Sequence, residues 1–202
     1  MGFPRHLATI FAAGMALAAA FPATAQFSDS YNFLRAVRDR DGQKTMDYLN
    51  KPGQPALNTR DPGTGETALH IIVKRHDMQW LMFLLSRRPD LEAKDKNGMT
   101  ALMDAAQLGD VDEARLLIQV GADVNTTDDN GETPLILAVQ NHDAPMVRLL
   151  VGGGADPSIA DTIAGKSARD YAQEDRRSTA LVRILDEAKP AKRAAPIMGP
   201  TR

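Results

Sequence analysis

The chain has 202 residues, with 24 Lys and Arg against 26 Asp and Glu, a formal net charge of −2, and no cysteine. Near-neutrality argues against a nucleic-acid binder, which carries a clear basic surplus. Without a thiol there is no disulfide and no lipid-attachment site, so stability rests on packing alone.

The first stretch reads as a targeting segment. Arg5 supplies a positive charge, Leu7 to Phe21 is an Ala-rich apolar run, and Ala23-Thr24-Ala25 is a small-residue cleavage site. Cleavage is expected after Ala25, which gives a signal peptide over 1–25 and a periplasmic or secreted mature chain. The apolar run is shorter than the roughly 20 residues a membrane-spanning helix needs, so no stable membrane insertion is expected after cleavage. Residues 31–49 read as a first helix pair, with Phe33, Ala36 and Val37 on one helix and Thr45, Tyr48 and Leu49 on the other. Lys51 to Gly65 is longer than later connections and holds Pro52, Pro55 and Pro62, which suggests an enlarged loop.

From here the chain repeats itself. Gly65-Glu66-Thr67-Ala68-Leu69-His70, Gly98-Met99-Thr100-Ala101-Leu102 and Gly131-Glu132-Thr133-Pro134-Leu135 recur at a step of 33, and Gly165-Lys166-Ser167-Ala168 follows. Such a period marks a stacked repeat. In each unit a Gly-containing turn precedes a Thr or Ser placed to cap a helix. Small residues such as Ala105-Ala106 follow, then a break at Gly109 or His142. A leucine-rich second helix ends near Gly121-Ala122-Asp123 or Gly154-Ala155-Asp156. Leu181, Ile184 and Leu185 extend an apolar stripe into the last unit. Beyond Lys189, three prolines and scattered cations without acids read as a disordered basic tail over 189–202.

These motifs resemble the ankyrin repeat family, whose units carry a Gly-x-Thr-Pro-Leu-His-x-Ala-Ala run and close near Gly-Ala-Asp. Thr133-Pro134-Leu135, Ala68-Leu69-His70 and Gly121-Ala122-Asp123-Val124-Asn125 carry the resemblance. It implies an all-α repeat solenoid of about five helix-turn-helix units with short β-turn fingers. The expected domain spans 26–188: an N-terminal cap at 30–63, units at 64–96, 97–129 and 130–163, and a C-terminal cap at 164–188. Capping units face water on one side, which suits their polar character. The resemblance also implies a structural hydrogen bond from His70 to a neighbouring turn.

Chemistry is sparse. His76 and His142 occupy the register of Gly109, a slot that is expected to be left-handed and that His takes at some cost. By that argument His142→Gly is neutral or stabilising. Two repeats separate His76 from His142, roughly 20 Å at the usual spacing of packed helices, so one ion cannot bridge them. Val151-Gly152-Gly153-Gly154 lacks the Lys and Ser or Thr of a phosphate loop. No catalytic, cofactor-binding or metal-binding set is expected, and the protein is not expected to be an enzyme.

The resemblance implies a concave face, formed by turn tips and inner helices, that binds a protein. In register, the candidate partner-binding residues are Lys74, Arg75, Lys96, Met99, Gln107, Leu108, Asp129, Glu132, Gln140, Asn141, Glu174 and Asp175. They suggest a groove running from basic at Lys74-Arg75 to acidic at Glu174-Asp175, with exposed Met99 and Leu108 as a central anchor. The expected function is an exported, monomeric protein-binding scaffold; a narrower alternative is an inhibitor or chaperone-like accessory of one periplasmic enzyme.

Overall fold

Threonine or serine at one register and aspartate at another decide where the helices start. The structure, a computed structural model, describes residues 29–51, 56–175 and 177–187. The expected signal peptide and basic tail lie outside the described residues. Among the described residues ten α-helices form five pairs, with no strand: α1 (Asp29–Arg38) with α2 (Gly42–Leu49), α3 (Ala68–Val73) with α4 (Met78–Leu85), α5 (Ala101–Leu108) with α6 (Val111–Gln119), α7 (Pro134–Gln140) with α8 (Ala144–Gly152), and α9 (Ala168–Glu174) with α10 (Thr179–Glu187). This is the all-α repeat solenoid expected. None of these helices is long and apolar enough to cross a membrane.

The odd-numbered helices form the inner row. Thr100, Thr133 and Ser167 cap α5, α7 and α9 by accepting from the backbone N–H of Met103, Ile136 and Asp170. Asp41, Asp77, Asp110 and Asp143 cap the outer helices α2, α4, α6 and α8 in the same way. Each cap satisfies backbone donors that a helix start leaves free and is worth about 1 kcal/mol. The aspartates that follow His76 and His142 are therefore helix caps in repeat register.

Between the helix pairs, fingers stack edge to edge. Asp61, Asp95, Asp128 and Asp161 each fold a turn around one carboxylate oxygen; Asp95 Oδ1, for example, accepts from the N–H of Asn97 at 2.8 Å and of Met99 at 2.9 Å. Backbone bonds then tie finger to finger: Lys96 N–H to the Thr64 carbonyl at 3.0 Å, Asp129 to Asn97 at 3.1 Å, Thr162 to Asn130 at 2.7 Å. Gly98 shows why this turn demands glycine. Its φ is +77°, and a Cβ there would sit 2.5 Å from the Asp129 backbone nitrogen. A side chain would be strained by conformation and would also push the neighbouring finger away. The finger at 61–65, like the one at 161–165, is one residue longer than those at 95–98 and 128–131, so most of the enlargement lies elsewhere. The extra residues precede it and include a short 3₁₀ turn at Ala56–Asn58, whose Asn58 side chain accepts from the Asp90 N–H at 2.9 Å.

One continuous core runs through the stack in register. Leu69, Leu102 and Leu135 are buried on the inner row, and Leu84, Leu117 and Leu150 on the outer row. Ala105, Ala138 and Ala172 are buried in one register of the inner helices, where small side chains allow close approach, and the larger Ile72 holds that register in the second pair. Met99 belongs to a second buried cluster with Met103 and Leu137. It is only 7 % exposed, which corrects the expectation that it forms part of an exposed anchor. The finger turns its side chain inward, where apolar burial stabilises it.

Candidate functional site

The face made by fingers and inner-helix ends carries two polar ladders. In the first, the residue after the finger glycine pairs, in three of the four fingers, with a residue at the inner-helix end eight positions on. Lys74 Nζ reaches Glu66 at 2.9 Å, Gln140 Nε2 donates to Glu132 at 2.8 Å, and Lys166 Nζ reaches Glu174 at 2.6 Å. In the second ladder, the next helix residue reaches back one repeat. Arg75 Nη1 donates to the carbonyl of Val37 at 2.6 Å, and Asn141 Nδ2 to that of Gln107 at 2.9 Å. Lys74, Glu132, Gln140, Glu174, Arg75 and Asn141 are thus first of all engaged within the chain, with another side chain or with the backbone. Lys96, Gln107 and Asp129 are exposed on the same face.

The middle unit breaks both ladders. Met99 stands where its neighbours have Glu66, Glu132 and Lys166, and Leu108 stands where they have Arg75, Asn141 and Asp175. Met99 turns into the core, but Leu108, at the end of α5, stays 47 % exposed. The face is therefore polar on both flanks with one exposed leucine at its centre.

The expected basic end is also corrected. Lys74 Nζ lies 2.9 Å from Glu66, 3.3 Å from Asp104 and 3.9 Å from Asp95, so three carboxylates surround one ammonium. Burial works against that ammonium, but the bond to Glu66 and the charge of Asp104 outweigh it and hold its pKa above the ordinary value. Asp104 is buried, and desolvation drives its carboxyl up to about 7 against the pull of Lys74. Its Oδ2 has no hydrogen-bond partner. Arg75 is held by the Val37 and Arg38 carbonyls and by Asp77 at 3.2 Å, and lies over the Trp80 ring. Neither cation is free to give this end a positive field. His70 is structural, as expected. Its Nδ1 accepts from the Thr67 N–H at 3.2 Å, so Nε2 carries the proton donated to the Met99 carbonyl at 2.9 Å. Burial holds its pKa below the ordinary value.

A second set of groups lies at the breaks between inner and outer helices. His76 and His142 have φ of +52° and +55°, and Gly109 in the same register has +76°, as the spacing predicts. Arg40 (φ +58°) fills this slot in the first pair and Arg88 (φ +56°) takes the place of Gly121 and Gly154 at the end of an outer helix. The step of 33 from Arg88 to Gly121 carried that signal, but Arg88-Pro89-Asp90 does not look like Gly-Ala-Asp. Three of these side chains reach an aspartate at the break of the next pair: Arg40 to Asp77 at 3.3 Å, His76 to Asp110 at 2.9 Å, His142 to Asp175 at 3.2 Å.

The His76 junction holds one further group. Glu113, in the first turn of α6, is 1 % exposed, and neither carboxylate oxygen has a hydrogen-bond partner. Burial, then the Asp110 charge, pushes its carboxyl up to about 7. His76, Asp110 and Glu113 each offer a ligand atom, and these atoms lie within 4.8 Å of one another. Reading the sequence predicted no metal-binding set, because it compared the histidines with each other and not with acids 34 and 37 residues further on.

A family profile described as ankyrin repeats in three copies matches residues 33–128, 83–161 and 115–192, overlapping spans that cover well over half of the chain. Finger stacking, capped helix pairs and the register of 33 agree with that match, and such repeats generally mediate protein–protein interaction. The chain belongs to the ankyrin repeat family.

Proposed function

We propose that the protein is an exported scaffold that binds one partner protein across the fingers and inner-helix ends, with Leu108 as the apolar anchor. The observation that carries this reading is the exposed Leu108 at a register where the neighbouring repeats place Arg75 and Asn141 to bond back across the stack. An apolar residue there gives up that polar contact and leaves 47 % of its surface exposed. An anchor of this kind, on the same face as Lys96, Gln107, Asp129, Glu132 and Gln140, gives a partner an apolar contact beside polar ones. Export rests on the Arg5, Leu7–Phe21 and Ala23-Thr24-Ala25 pattern.

The test is capture in the source cell with a C-terminally tagged full chain. The unsubstituted protein, Leu108→Asp, and Met82→Asp as a control on the outer helix are compared. Met82 is 52 % exposed, so the control changes an equally accessible residue. A partner retained by the unsubstituted and Met82→Asp chains and lost by Leu108→Asp is the expected result, with a recovered mass that begins at Gln26. Equal retention by all three chains removes the anchor reading. Loss of a captured enzyme's activity at one-to-one stoichiometry assigns the narrower role of inhibitor.

A further inference from the structure

We propose that His76, Asp110 and Glu113 form a binding site for one divalent transition-metal cation of the zinc class, joining the second and third helix pairs. The argument begins with Glu113. A carboxylate that is 1 % exposed with both oxygens unpartnered is costly. Protonation removes the charge, but the carboxyl still has no donor facing its oxygens. A cation supplies what both oxygens lack.

The neighbouring groups make that cation specific. Asp110 is fixed by its role as helix cap: its Oδ1 accepts from the Glu113 N–H at 3.1 Å, and its Oδ2 faces His76 Nδ1 at 2.9 Å. His76 is carried there by its left-handed backbone from the end of the preceding inner helix. One imidazole and two carboxylates balance a charge of +2. The imidazole favours zinc, cobalt or iron over calcium and magnesium, which prefer oxygen-only shells. Ligand atoms around a tetrahedral zinc at 2.0–2.2 Å sit about 3.4 Å apart, so rotation of exposed His76 and contraction from 4.8 Å complete the shell. Three protein ligands with a half-exposed histidine leave one position open to solvent or to a partner's side chain.

The other breaks lack this arrangement. The register of Glu113 is Trp80 in the preceding unit and Met146 in the following one, and His142 meets Asp175 and the Ser178 hydroxyl. One junction of the stack is therefore a ligand set and its counterparts are not.

The experiment uses the untagged full chain, stripped with chelator, and titrates zinc chloride by calorimetry and cobalt chloride by visible absorption. Unsubstituted chain is compared with Glu113→Gln, with His76→Gly, which keeps the left-handed backbone, and with His142→Gly as a control. We expect one equivalent of zinc bound, a melting temperature raised by several degrees, and a cobalt spectrum of low coordination number. Glu113→Gln and His76→Gly each weaken zinc binding by about tenfold or more, and His142→Gly leaves it unchanged. Absence of saturable one-equivalent binding overturns the proposal. So does unchanged zinc affinity in both site variants, or calcium and magnesium bound as tightly as zinc. The cobalt spectrum is read on the unsubstituted chain, so the proposal stays open to refutation even where a variant fails to fold.

Discussion

His76 and His142 occupy the same register, adopt the same left-handed backbone and each meet an aspartate of the next helix pair, yet their surroundings differ. At His142 the remaining partner is a hydroxyl, Ser178, which can donate or accept as the ring requires. At His76 it is the buried carboxylate of Glu113, which can only accept when ionised and finds no donor. Equal backbones with unequal polar satisfaction teach that the slot itself is structural, and that the residue three positions after the facing aspartate, Glu113 in one case and Ser178 in the other, decides whether the junction's polar groups are satisfied.

The comparison breaks most sharply if the carboxylate is moved. Met146 shares the register of Glu113 and is fully buried. Met146→Glu would bury an acid beside Gly109, where no histidine stands, at a cost on the order of 3 kcal/mol; a denaturant melt checks it. A loss below about 1 kcal/mol would show that these sites relax to hydrate an acid.

The reverse exchange, Glu113→Met, sharpens the same point. In the folded chain the Glu113 carboxyl titrates near 7, above its ordinary 4.5, so the folded state holds a proton that the unfolded state has released. Stability from this group is fully present below about 4.5 and is lost as pH rises through about 7. With chelator present, Glu113→Met should therefore stabilise the chain by about 1–3 kcal/mol at pH 8 and by much less at pH 5. Paired melts at the two pH values check it, and a pH-independent difference would mean that Glu113 is hydrated. With zinc present, the sign at pH 8 should reverse.

The smallest effect is expected at the inert junction. His142→Gly removes contacts with Asp175 and Ser178 that the structure adds to the picture, and it relieves a left-handed histidine at the expense of a freer unfolded chain. These changes nearly cancel, so the melt should shift by no more than about 0.5 kcal/mol, the neutral end of the neutral-or-stabilising outcome that the backbone argument gives.

Much of the fold was legible because it follows from local chemistry repeated in register. The finger glycines, Thr100 and Thr133 as caps, and the leucines of both rows each do at one step what they do 33 residues later. The candidate face was only partly legible. Its residues were placed in the right register, but their availability was not: Met99 turned inward, and Lys74 and Arg75 proved to be held by carboxylates and carbonyls from other elements. Arg88 escaped notice because Arg88-Pro89-Asp90 does not resemble Gly-Ala-Asp, although its register with Gly121 marked the slot, and Arg40 because the first helix pair lacks the turn that sets the register.

The sequence by itself determined the period, the helix starts and the alternation of inner and outer helices, since caps, turn glycines and apolar spacing act within a few residues. Only the tertiary structure decided which polar groups are satisfied. Hydrogen bonding and desolvation depend on what the next repeat brings near, and Glu113 meets His76 across 37 residues of chain only once the helix pairs have stacked.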